Sequence, residues 1–376
     1  MWIEQRLWTP QGGWTVSGER GDTASLVLYF AAPGSLPAET ILADLRSAYG
    51  EAPILGCTTG GEIFGADVLD DSVVVSAIGF ERASVRVAAH DLSHTSQSKE
   101  IGAALAQELA APELRAIFLL SDGTGVNGDS LVSGCLGAVP SDVVVTGGLA
   151  GDGARFQSTA VGCDDAMRPG RVAAVGLYGE SLSIGHGSFG GWDEFGPPRT
   201  ITRSAANVLY ELDGEPALDL YKRYLGEEAQ GLPGSALLFP LSIRPVGGDA
   251  GSEVVRTIVG VDEDAKSMIF AGDMPTGHMA RLMRGNFDNL VDGAGRAAEA
   301  AAAVATPCLA LLVSCIGRKL LMGQRIAEEV EIVADVLGKN ASLMGFYSYG
   351  EISPHGFTGK CELHNQTMTI TTISER

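Results

Sequence analysis

The stretch "GCTTGGEIFG", residues 56–65, holds two glycines at the spacing of a phosphate-cradling loop. Such a loop needs Gly-Lys-Ser or Gly-Lys-Thr after the spacer, yet Glu62 follows Gly61 here. A carboxylate at that position repels phosphates, so the nucleotide reading fails on charge. The same spacing recurs in "GFYSYGEI", where Glu351 follows Gly350. A carboxylate beside a glycine turn suits an amine, a guanidinium or another hydrogen-bond donor as a ligand. Equally, it can cap its own turn or pair with Arg318, and both alternatives stand. "LLVSCIGRK" sets Ser314 and Cys315 at a strand end ahead of Arg318, where open α/β sheets bind ligands. No Gly-x-Ser-x-Gly elbow surrounds Ser314, which argues against a hydrolase.

Other motifs are weaker. "GTGVNG" (123–128) fits a dinucleotide fingerprint, but Asp122 and Asp129 flank it with the wrong charge. It reads as a strand-to-helix turn. His90 and His94 sit four apart in a strand end and loop, without a third ligand in view. "ELHNQT" gathers His364, Asn365, Gln366 and Thr367 at the start of an amphipathic strand. That cluster is a hydrogen-bonded network or a ligand site, because unpaired polar burial costs roughly 1–3 kcal/mol per group. Six cysteines are scattered without a Cys-x-x-Cys pair, which suits buried thiols in a reducing, cytoplasmic setting.

These residues belong to a chain of 376 residues with a net charge of −20. The acidity argues against nucleic-acid binding and against adhesion to an anionic membrane surface. The N-terminus lacks a basic region followed by an apolar core, so no secretory signal is expected. Residues 300–317 run uncharged for the length of a short membrane span, but Pro307 and the many alanines favour a helix end, a turn and a buried strand.

The elements that position the glutamates repeat. "SLVLYFA", a helix opened near Pro37 and closed by Gly50, "APILGCTT" and "SVVVSAIGF" form one strand-helix-strand-strand unit. "LALLVSC", a helix carrying Ile326, Val330, Val333 and Leu337, "LMGFYSYGEI" and "TMTITTI" form another. A looser third copy runs from "LRAIFLLSD" to "VVVTGGLAGD", with Asp152 as its acid. The expected fold is α/β: two related halves of mixed β-sheet with packed helices, residues 1–199 and 200–376. Crossovers imply parallel pairing, with antiparallel strands added around 80–90, 160–205 and 254–271.

Taken together, "GCTTGGEI", "TGGLAGD", "GGWDEFGP", "DGEPALDLYKRYLG", "VSCIGRK", "GFYSYGEI" and "LHNQTMTITTI" resemble the FIST (F-box and intracellular signal transduction) proteins, with an N-terminal and a C-terminal FIST domain. The resemblance implies a bacterial-type intracellular sensor without catalytic residues. It would bind a small ligand such as an amino acid and signal to a partner protein. Cys57, Thr58, Glu62, Asp152, Ser314, Cys315, Arg318, Glu351, His364 and Asn365 are the candidate ligand contacts. The alternative it implies is a haem b protein sensing nitric oxide for a histidine kinase, with His364 as axial ligand. An enzyme of unknown reaction is the third hypothesis.

Overall fold

The structure is a computed structural model and describes residues 1–249, 251–302 and 306–376. The expected helix end and turn after Ala300 fall partly outside the described residues, while Cys308–Cys315 is the buried strand anticipated there. Among the described residues no helix is long and apolar enough to cross a membrane.

Three strand-helix-strand units build three six-stranded sheets. Each sheet is centred on a parallel pair: Leu26–Ala31 with Ile54–Thr58, Leu114–Ser121 with Val144–Leu149, and Cys308–Cys315 with Ala341–Ser348. A third strand lies antiparallel beside the first of each pair: Val73–Gly79, Arg171–Tyr178 and Met368–Glu375. The central strands are apolar on both faces, as continuous hydrophobic runs demand. Helix Ala38–Tyr49 shows how local sequence shapes a unit. Pro37 starts it, Ile41, Leu45 and Tyr49 are buried on one face, and Gly50 at φ 60° ends it.

The first glycine of each repeated motif has a specific cause. A Cβ on Gly345 would lie 1.9 Å from the carbonyl oxygen of Leu312, its partner on the parallel strand. Gly147 stands equally close to Leu119, and a Cβ on Gly56 would meet the Tyr29 carbonyl at 2.4 Å. Only glycine allows that approach.

The segment after each parallel pair leaves its own sheet. Glu62–Phe64 pairs antiparallel with Ala341–Ser348 in the third sheet. Gly350–Pro354 pairs with Val144–Leu149 in the second, and Val161–Cys163 pairs with Ile54–Thr58 in the first. Each unit thus covers the open edge of another, and a ring of strand exchange joins both halves of the chain. One face of every sheet turns inward to a shared core that includes Leu28, Phe30, Phe118, Leu311, Val313 and Phe346. The Phe30 and Phe346 rings stand 4.5 Å apart. The outer faces are covered by helices, among them Ser98–Leu109, Gly128–Leu136 and Phe287–Ala301.

A fourth, eight-stranded sheet is drawn from strands between residues 192 and 285 and carries its own core around helix Ala217–Leu225. Position 199, the expected end of the first half, falls inside its long strand Trp192–Ala205. The antiparallel additions expected around 80–90, 160–205 and 254–271 are present.

Candidate functional site

The three glycine turns meet. Gly60 donates to the Tyr347 carbonyl at 2.7 Å, Tyr347 to that of Gly61 at 2.9 Å, and Gly151 to that of Thr58 at 3.0 Å. Tyr349 donates to the Leu149 carbonyl at 3.2 Å. The turns are therefore the hub of the strand exchange, and the acids that follow them are set by that hub.

Glu62 is fully buried, with one oxygen accepting from the Thr59 hydroxyl. The other accepts from the Ser72 N–H at 3.2 Å and the Ser72 hydroxyl at 2.6 Å. Glu351 repeats the arrangement with Ser348 at 2.6 Å and with the Thr367 N–H and hydroxyl at 3.2 and 3.0 Å. Burial pushes Glu62 up to about 7 and Glu351 up to about 8, against the opposing pull of those hydrogen bonds. Both carboxyls meet hydroxyl and main-chain donors of their own chain. That corresponds to the turn-capping alternative. Asp152 differs. Burial works to raise it, but the N–H of Ser158, the Tyr349 hydroxyl and the N–H groups of Gln157 and Phe156 outweigh that and hold it low.

Arg318 pairs with neither repeated glutamate. It is fully buried against Glu329, 2.8 Å away, and donates to the Leu290 carbonyl at 2.8 Å. The Ser314 and Tyr347 hydroxyls both donate to the other Glu329 oxygen at 2.9 Å. A buried ion pair with its remaining lone pairs satisfied is a structural device. Sequence reasoning missed Glu329, although its position three residues after Ile326 puts it on the same helix face as Val330 and Val333.

The remaining candidates separate. Cys57 is buried within its sheet, and burial pushes its thiol up. The Thr58 hydroxyl accepts from Ala160 N–H at 2.9 Å. His364 donates from Nε2 to the Ser353 carbonyl at 2.9 Å, and burial drives it down to about 3, so it is a neutral imidazole. Asn365 donates to the His364 carbonyl at 3.0 Å and accepts from Thr257 N–H at 3.4 Å. In the "GTGVNG" turn, Asp122 accepts from Thr124 and Gly125 N–H at 2.8 and 2.7 Å, which occupies the amides a phosphate would need.

Of these candidates, only Cys315 lines the cleft of about 330 Å³ between the α/β ring and the fourth sheet. One wall is the stacked pair Phe156 and Tyr349, with ring centroids 4.5 Å apart and planes 17° from parallel. Asp152 holds that pair by accepting from the Tyr349 hydroxyl and the Phe156 N–H. The facing wall includes Asn207, Thr257, Val259 and Phe270. Among the described residues, no charged one lines the cleft. Thr257 is 5% exposed, and its hydroxyl oxygen has no hydrogen-bond partner among the described residues.

Residues from both of two family matches line this cleft: the FIST N domain matches residues 25–215 and the FIST C domain matches 217–354. The chain belongs to the FIST family. FIST domains are associated with signal transduction and small-ligand sensing. No curated protein matches the sequence. Among solved structures, the crystal structure of a cyanuric acid hydrolase from A. caulinodans is 14% identical, with 78% of this chain and 99% of that one covered. Its TM-score is 0.19, too low to inform the fold or chemistry of this FIST chain.

Proposed function

We propose that this FIST protein senses a small, uncharged, largely apolar molecule held in the interdomain cleft, and passes its bound state to a partner protein. The carrying observation is the Thr257 hydroxyl, buried without a partner among the described residues in the wall of a neutral, part-aromatic cleft. Leaving such a group unpaired costs roughly 1–3 kcal/mol, which a ligand's hydrogen bond recovers. The volume and the mixture of apolar walls with few polar groups suit a small-molecule site.

A mechanical connection supports transmission. Arg256, 4% exposed, pairs with Asp129 at 3.0 Å and donates to the carbonyls of Leu363 and Asp273. Asp129 also accepts from Asp273 N–H at 2.7 Å, and Asn127 donates to the Asp273 carboxylate at 3.0 Å. These bonds fasten the fourth sheet to the start of helix Gly128–Leu136, beside both walls of the cleft. A ligand that draws the walls together acts on this fastening. A histidine kinase or another signalling protein is the class of partner the family resemblance suggests.

The haem alternative gains no such support. His364 Nε2 is engaged with the Ser353 carbonyl, and the ring stacks on His355 with centroids 5.6 Å apart. Nor does Ser314 favour an acyl-transfer enzyme, since its hydroxyl donates to the ion-paired Glu329.

A thermal-shift screen of neutral amides and lactams beside free amino acids tests the proposal. A ligand at about 100 times its dissociation constant adds about 2.7 kcal/mol to stability. Thr257→Val keeps the shape and removes the hydroxyl, and should weaken the best neutral ligand by roughly tenfold. Undiminished binding in that variant, or selection of charged amino acids alone, would place the ligand elsewhere.

A further inference from the structure

A second cleft, of about 430 Å³, opens on the other side of the segment 364–367. His364 and Thr367 line it, whereas Asn365 bonds to Thr257 and Gln366 donates to the Leu237 carbonyl at 3.1 Å, both on the interdomain cleft. The two clefts are therefore backed by opposite faces of one strap and differ in chemistry. The interdomain cleft is lined by neutral residues, while Arg296 and Glu253 line the second.

Their partners distinguish these two charges. Glu253 is occupied, with Arg244 at 3.4 Å from one oxygen and Gly251 N–H at 2.7 Å from the other. Arg296 forms no ion pair among the described residues, and its guanidinium lies 4.5 Å from the centroid of the Phe189 ring. In a chain with 46 acidic and 26 basic residues, a cation carried on an aromatic face rather than a carboxylate is available for an outside anion. Deeper in the cleft, His364 is 3% exposed and spends its Nε2 proton on the Ser353 carbonyl. Nδ1 is then an acceptor, to which no group among the described residues donates. His355 beside it offers nothing similar: its Nε2 is bonded to the Glu253 carbonyl and its Nδ1 accepts from Phe357 N–H. The Ser188 hydroxyl, on a residue 7% exposed, adds a further polar group to the lining.

One cation without a carboxylate and one buried imidazole acceptor define a complementary ligand. We propose that this second cleft binds a small carboxylate that also carries a hydrogen-bond donor, the carboxylate on Arg296 and the donor on His364 Nδ1. Phe189 holds the guanidinium plane in place, which reduces the entropy lost on binding. The site is independent of the sensor cleft proposed above and stands if that proposal fails.

Calorimetric titration of the full chain with L-lactate, acetate and lactamide tests this. Lactate should bind with a dissociation constant below about 10 mM, and acetate and lactamide at least tenfold more weakly, because each lacks one of the two groups. Arg296→Gln should weaken lactate by tenfold or more without moving the melting temperature of the free protein, since Arg296 is exposed. Thr257→Val should leave lactate binding unchanged, which separates this site from the interdomain cleft. Absence of heat from lactate, or equal binding by Arg296→Gln, would overturn the proposal. Acetate binding as tightly as lactate would overturn the role of His364.

Discussion

Glu62 and Glu351 carry protons in the folded protein at pH values where the unfolded chain has lost them, and this gives stability a definite pH dependence. A carboxyl raised by burial favours the folded state while it is protonated there. Its contribution is complete below the unfolded value near 4.5 and is lost as pH rises through the folded values of about 7 and about 8. His364 acts in the opposite sense below about pH 6.5, because burial keeps it neutral while the unfolded imidazole takes up a proton. The clean window is therefore pH 6.5 to 8, in which acidification should raise the melting temperature. Glu351→Gln mimics the protonated carboxyl. It should flatten the slope by about 1.4 kcal/mol per pH unit and exceed wild type in stability at pH 8, as read by thermal denaturation across that window. The sequence placed both acids at matching turns but left open whether they face a ligand or their own hydroxyls. Ser72 and Thr367, the residues that decide it, lie 10 and 16 positions away.

At the scale of elements, glycine spacing was the most informative signal. It marked the strand-helix-strand units and even the looser third copy, because each opening glycine is required by a carbonyl across a parallel pair. The same contact makes a prediction. Gly345→Ala would bring a Cβ to 1.9 Å from backbone that cannot move without breaking the ladder, whereas a Cβ on Gly34 meets nothing within 4 Å. Gly345→Ala should lose more than about 3 kcal/mol in urea denaturation, and Gly34→Ala, strained only by its φ of 88°, about 1 kcal/mol. The clefts were much less legible. The interdomain cleft draws residues from widely separated segments, such as Phe156, Asn207 and Thr257, and Gly123, Thr124 and Val126 enter it from the "GTGVNG" turn, which its flanking acids had marked only as a turn. Cys315 alone was anticipated there, from its place at a strand end.

The whole molecule differs from a pair of domains on a string, for a reason that local sequence cannot display. Glu62–Phe64 lies on Ala341–Ser348, and Gly350–Pro354 on Val144–Leu149, so each half completes a sheet rooted in the other. Antiparallel pairs made across such sequence separation leave no periodic trace in either partner strand. The two-domain layout seen by the family models is thus a division of sequence, with the shared core of Phe30, Phe118 and Phe346 crossing it. Residues 1–215 produced alone should expose the edge of Val144–Leu149 and the apolar faces of that core. Exposed edges and apolar patches of this kind drive aggregation. The fragment should therefore be insoluble or lack a cooperative melting transition. Co-expression with residues 216–376 should restore a soluble complex that co-purifies and melts cooperatively, since the missing strands need only association to return. A monomeric 1–215 fragment that melts cooperatively by itself would show that strand exchange is dispensable for the first half. In that event the Arg256–Asp129 fastening, rather than the sheets, would be the principal connection between the halves.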